Sequence, residues 1–133
     1  MNKLLICISF FYLIGCKPKP FKAIEDSAWR DETVEITSDL CKKFEICSES
    51  LILNLPKNMQ NHVKEEISFS NCIEKNKKSN IYKLAVPNIN EAKIAFRECA
   101  NFIKNLSCED LSSGKIKENE FCKSVTLIQS NKY

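Results

Sequence analysis

Glycine is nearly missing from this chain. Two residues, Gly15 and Gly114, stand among 133, where average usage of about 7% would place roughly nine. That scarcity excludes glycine-rich phosphate loops, dinucleotide fingerprints and most sandwiches or barrels, which need many tight turns at positive φ. Histidine is missing apart from His62, so a mixed cysteine–histidine metal site would have a single nitrogen ligand to draw on. No G-x-S-x-G elbow occurs to hold a nucleophile. Nor is there a C-x-x-C pair, which argues against a thioredoxin-like redox site and the usual zinc knuckle. A strong excess of one charge is also lacking: 20 basic against 17 acidic residues leave +3, too little to grip nucleic acid by neutralising phosphates. Neither a cofactor nor a nucleic-acid partner is expected.

What is present begins with an address. Lys3 supplies a short positive region, Leu4 to Ile14 form an apolar run of eleven residues, and Gly15-Cys16 follows at once. A run that short falls well below the roughly 20 helical residues needed to span a hydrocarbon core. A secretory cleavage site of the A-x-A type is absent, and a cysteine stands in its place. Leu13-Ile14-Gly15-Cys16 resembles the lipobox of bacterial lipoproteins, and the resemblance implies cleavage between Gly15 and Cys16 with fatty acylation, such as palmitate, on Cys16. Two or more acyl chains hold a protein stably on a membrane, at about 0.8 kcal/mol per buried methylene. Lys17-Pro18-Lys19-Pro20-Phe21-Lys22 then reads as an extended, proline-stiffened tether. Its lysines favour anionic headgroups where they lie near a membrane surface. The expected organisation is a signal peptide over 1–15, a lipidated cysteine and tether over 16–30, and one cysteine-rich domain over 31–133.

With Cys7 in the signal and Cys16 carrying lipid, six cysteines remain: Cys41, Cys47, Cys72, Cys99, Cys108 and Cys122. An even number in an exported domain of this size points to three disulfides, with 15 connectivities open. If Cys41 and Cys47 share a helix, they stand about 9 Å apart along its axis, beyond the disulfide Cα limit of about 7 Å, so they need different partners. Cys99 with Cys108 is disfavoured in the same way unless the chain reverses at Ser107. Cys108 and Cys122 flank a turn, which makes that pair the first choice.

Apolar residues recur at helical spacing. Ile36, Leu40, Phe44, Cys47 and Leu51 mark a first helix starting near Asp31 and Glu32. Met59, Val63, Ile67 and Cys72 mark a second, with Asn54 as its cap and Pro56 in its first turn. Ala92, Ala95, Phe96, Cys99, Phe102, Ile103 and Leu106 form the clearest stripe, capped by Asn88 with Glu91 at the third position. Ser107 looks like a further cap before Glu109 and Asp110, the chain turns at Ser112-Ser113-Gly114, and Phe121, Val125 and Ile128 outline a last helix. Ile81 to Val86 has no helical period and reads as a loop, and Lys75 to Asn80 reads as a polar connection. The expected fold is all-α, a small bundle of about four helices stapled by three disulfides.

No constellation announces catalysis. Glu65-Glu66, Asp31-Glu32 and Glu109-Asp110 are neighbours about 100° apart on a helix and do not face each other as acid and base. His62 is expected to be a surface side chain. Trp29 beside Arg30 reads either as a binding anchor or, more commonly, as an aromatic that packs the tether's end onto the domain.

The lipobox, the length and the pattern Cys41-x5-Cys47 … Cys72 … Arg-Glu-Cys99 … Ser-Cys108-Glu-Asp-Leu … Cys122 resemble the small cysteine-rich lipoproteins of spirochaetes, Leptospira in particular. That resemblance implies an envelope location and supplies no catalytic residue. The functional expectation is a lipid-anchored structural or binding protein of the bacterial envelope, not an enzyme. It meets a membrane through Cys16, with the outer membrane preferred and an unidentified protein as a further partner. The alternatives are a surface adhesin or host-factor-binding lipoprotein, and a periplasmic protein handling thiols or metals.

Overall fold

The computed structural model describes residues 20–131. The expected cleavage point at Gly15 and the lipidation site Cys16 lie outside the described residues, as do Lys17 and Lys19 of the tether.

The first helix, α1 (Ser27–Leu53), runs for 27 residues without a glycine or proline. Its start is fixed by Asp26, whose carboxylate accepts the Trp29 amide at 2.9 Å and so satisfies a donor that the first turn leaves unpaired. The helix therefore begins ahead of Asp31 and Glu32, and the boundary expected at residue 31 falls inside it. Trp29, Thr33, Thr37, Leu40 and Cys41 make its buried stripe, spaced by three and four residues as one helix face requires.

The expected second helix is two. α2 (Lys57–Glu66) and α3 (Phe69–Lys77) are separated at Ile67 and Ser68. Ser68 is extended (φ −56°, ψ 150°) and its hydroxyl donates to the Glu65 carbonyl at 2.7 Å, the competition with backbone bonding that makes serine a helix breaker. Asn54 closes the end of α1, and Pro56 holds the cap position of α2. Neither α2 nor α3 contains a buried residue, so burial contributes little to holding them in place.

The stretch expected to be a loop supplies the centre of the core. α4 (Asn80–Lys83) is a single turn capped by Ser79, and Leu84 follows in the left-handed region at φ 49°. Ile81, Leu84 and Val86 are all buried. One turn is too short to show a period, which is why the pattern was invisible. α3 extends to Lys77 and α4 begins at Asn80, so the expected Lys75–Asn80 connection is mostly helical.

α5 (Ile89–Asn105) follows the expectation closely. Asn88 accepts the Glu91 amide, and Ala92, Ala95, Phe96, Cys99, Ala100 and Ile103 are buried. α6 (Cys108–Ser112) opens on a reciprocal capping box between Ser107 and Asp110. Gly114 turns the chain at φ 82°, a 3₁₀ turn spans Lys115–Glu118, and α7 (Glu120–Gln129) is capped by Asn119.

The fold is all-helical with three disulfides. Seven α-helices stand among the described residues, where about four were expected. The difference comes from the split at Ser68 and the one-turn helices α4 and α6.

Two contiguous apolar clusters form the core. Trp29, Ile81, Leu84, Val86, Ala92 and Phe96 make the first, and Leu40, Cys99, Ala100, Ile103 and Cys122 the second. Three ion pairs fix α1 beside α5: Asp26 with Lys93, Glu32 with Arg97, and Asp39 with Lys104. Both sets of numbers rise together, so the two helices run parallel. α7 packs against α5 in the opposite sense, since Cys122 meets Cys99 while Ile128 packs against the cluster that holds Ala92 and Phe96.

Candidate functional site

Three features could carry a function: the cysteines, the surroundings of Trp29, and the surface grooves.

All six cysteines are paired, as Cys41–Cys72, Cys47–Cys108 and Cys99–Cys122, with Cα separations of 5.9, 5.0 and 4.8 Å. Cys41 and Cys47 do take different partners. The first-choice pair Cys108–Cys122 is not formed. Cys122 lies in the core opposite Cys99, whereas Cys108, the first residue of α6, is exposed at the surface beside the last third of α1. A turn brings two cysteines near in sequence, but the packing of α7 on α5 decides which sulfurs meet. The loops interleave: the span closed by Cys47–Cys108 overlaps both others, so the three bridges form one linked set. Cys41–Cys72 ties the otherwise unburied α3 to α1. Loop closure over 31, 61 and 23 residues stabilises the fold by about 3 to 4 kcal/mol per bridge on a chain-entropy basis.

Trp29 packs inside the domain. It is 1% exposed, its indole nitrogen donates to the Ile81 carbonyl at 2.8 Å, and its ring meets Phe96 edge-on at 5.8 Å. Lys93 and Arg97, one turn apart on α5, stand 5.2 and 5.3 Å from the ring centroid. Each cation is itself held by an acid at the start of α1: Lys93 by the capping residue Asp26 at 2.7 Å and Arg97 by Glu32 with a second contact at 2.8 Å. The Lys93 hydrogen bond holds the Asp26 carboxyl below its ordinary range, the Arg97 hydrogen bond does the same for Glu32, and Glu32 in turn raises Arg97. This cluster closes one end of the core and leaves no face of the ring for a ligand. Sequence reasoning missed both cations because the spacing Lys93-x3-Arg97 states a shared helix face but not which aromatic lies beneath it.

The adjacent carboxylates divide as helix caps and surface pairs. Glu66 is held by Lys75, and the Asp110 carboxylate by Lys115 together with the Ser107 backbone amide, which donates to it. His62 is exposed on α2. Among the described residues no three His, Cys, Asp or Glu side chains converge into a metal-binding group, and no helix is long and apolar enough to cross a membrane.

The grooves are open and mainly apolar. One of about 390 Å³ lies between α5 and α7, walled by Val86, Pro87, Ile94, Phe121 and Leu127. Another of about 300 Å³ lies between the end of α1 and α2, lined by the half-buried Ile52 and Ile67, the exposed Leu53, and Glu45, Glu49 and Lys64.

No protein-family model, curated protein or solved structure matches this chain.

Proposed function

We propose that this chain is a lipid-anchored protein of the bacterial envelope, held through an acylated Cys16, with a structural or binding role and no catalysis. The observation that carries the reading is the complete pairing of the six cysteines downstream of Cys16. Disulfides persist in oxidising compartments outside the cytosol, the destination to which the amino-terminal pattern Leu13-Ile14-Gly15-Cys16 would send the chain. The open, mainly apolar grooves further support a role in contact.

Lys17 would follow the lipidated residue, and the absence of aspartate there favours the outer membrane. The test is metabolic labelling with a clickable fatty acid in a bacterial host. Label that enters the wild-type chain and is lost in Cys16→Ala supports the reading, and equal labelling of both, or of neither, refutes it.

A further inference from the structure

We propose that the end of the molecule farthest from the tether is a self-association surface on which a second copy of this chain docks by a two-fold contact. Among the described residues, Leu53 and Ile46 are the most exposed large apolar side chains, at 75% and 66%. They lie seven residues apart, two turns along one stripe of α1. At 1.5 Å per residue α1 spans about 40 Å, so this stripe stands at the opposite end of the helix from Ser27 and the tether. Beside it lies the groove between α1 and α2, with Ile52 and Ile67 on its floor.

Charge selects the occupant. Glu45 and Glu49 edge the groove on the α1 side, and Lys64 edges it on the α2 side. None of the three is ion-paired, although seven other ion pairs form among the described residues. Glu45 and Glu49 are four apart on a helix, a like-charge spacing that costs a few tenths of a kcal/mol unless a cation meets it. A foreign basic partner would answer the acids and meet repulsion from Lys64. A second copy rotated by 180° answers both, because the acidic edge of each chain then faces the basic edge of the other across the shared apolar strip. A face with acid on its α1 edge, base on its α2 edge and the exposed aliphatic groups Ile46 and Leu53 beside the acids is self-complementary in the sense an isologous dimer requires.

The patch is small, so the affinity of free molecules is modest. Confinement of tethered copies to one membrane raises their effective concentration and with it the fraction paired. Only that last point rests on the lipid-anchor reading; the contact itself does not.

The test uses full-length chains carrying two different affinity tags, co-expressed, oxidised and solubilised in a mild detergent, with co-purification as the readout. Wild type is expected to pair with wild type. Glu49→Lys places lysine against Lys64 in its own homodimer, and Lys64→Glu places glutamate against Glu49, so each should self-associate at least about tenfold more weakly. Mixing Glu49→Lys with Lys64→Glu restores opposite charges at both contacts, and this pair should co-purify like wild type. Leu53→Glu should abolish pairing. All these positions are exposed, and the non-reducing mass reports whether the three bridges have formed in each variant. Equal co-purification of every combination, as association through the acyl anchors would give, overturns the proposal. So does failure of wild type to pair, whether or not some other protein binds the face. The labelling of Cys16 is measured independently, so the two readings stand or fall separately.

Discussion

The indole nitrogen of Trp29 donates to the carbonyl of Ile81 at 2.8 Å, across 52 residues of chain, and both residues are essentially sealed from water. This bond joins the first turn of α1 to the one-turn helix α4 and so closes the first core cluster. Trp29→Phe keeps much of the apolar volume but strands a buried acceptor, which costs about 1 to 3 kcal/mol. Trp29→Ala adds a cavity and should cost about 3 to 5 kcal/mol. Urea unfolding of the oxidised protein measures both, and a Trp29→Phe variant of wild-type stability would contradict the assignment.

The bridges differ in access. Cys108 is exposed and Cys47 half-buried, whereas Cys99 and Cys122 are both buried. Thiol exchange requires an attacking thiolate to reach a sulfur. Under limiting reductant Cys47–Cys108 should open first and Cys99–Cys122 last, as read by sequential alkylation and peptide mass mapping. Removing the bridge with the longest loop, by Cys47→Ala with Cys108→Ala, should lower stability by about 4 kcal/mol.

Acid should loosen the α1–α5 contact. Hydrogen bonds from Lys93, Arg97 and Lys104 hold Asp26, Glu32 and Asp39 below their ordinary pKa values. A carboxylate whose pKa is depressed on folding contributes stability that is fully present above its unfolded value, near 4, and is lost as pH falls through the folded value. Melting temperature should therefore hold from neutrality down to about pH 5 and decline below it. Because these pairs are partly exposed, the decline should be small and should shrink in high salt. A rise in stability on acidification would contradict the pairing.

Thr37 is buried in α1, and its hydroxyl has no hydrogen-bond partner. Thr37→Val keeps the shape and removes the unpaired group, so it should stabilise the fold by about 1 kcal/mol. Thr33, also buried, donates to the Arg30 carbonyl at 2.9 Å, and Thr33→Val should bring no such gain. Paired chemical denaturation curves separate the two.

Much of the helical architecture was legible because its signals are local. The stripe from Ala92 to Ile103 and the caps at Asn88 and Ser107 follow from spacing and side-chain chemistry within a few residues. Ile81 to Val86 was misread because its role is tertiary: a single turn and a left-handed Leu84 place three apolar residues in the core without any period. The break at Ser68 was missed since the apolar pattern continues across it while the backbone does not. The even cysteine count announced three bridges, but the pairing of Cys108 with Cys47 depends on how α6 lies beside α1, which no spacing encodes. Trp29 beside Arg30 reads either way from sequence, and the structure packs it under Lys93 and Arg97.

The most direct test of the envelope-lipoprotein account is the intact mass of the natural product after denaturation and thiol alkylation without reductant. The account gives a chain beginning at an acylated residue sixteen, six hydrogens lighter than its reduced form and carrying no alkyl label. A chain still starting at Met1, or one bearing two or more alkyl groups, would contradict it.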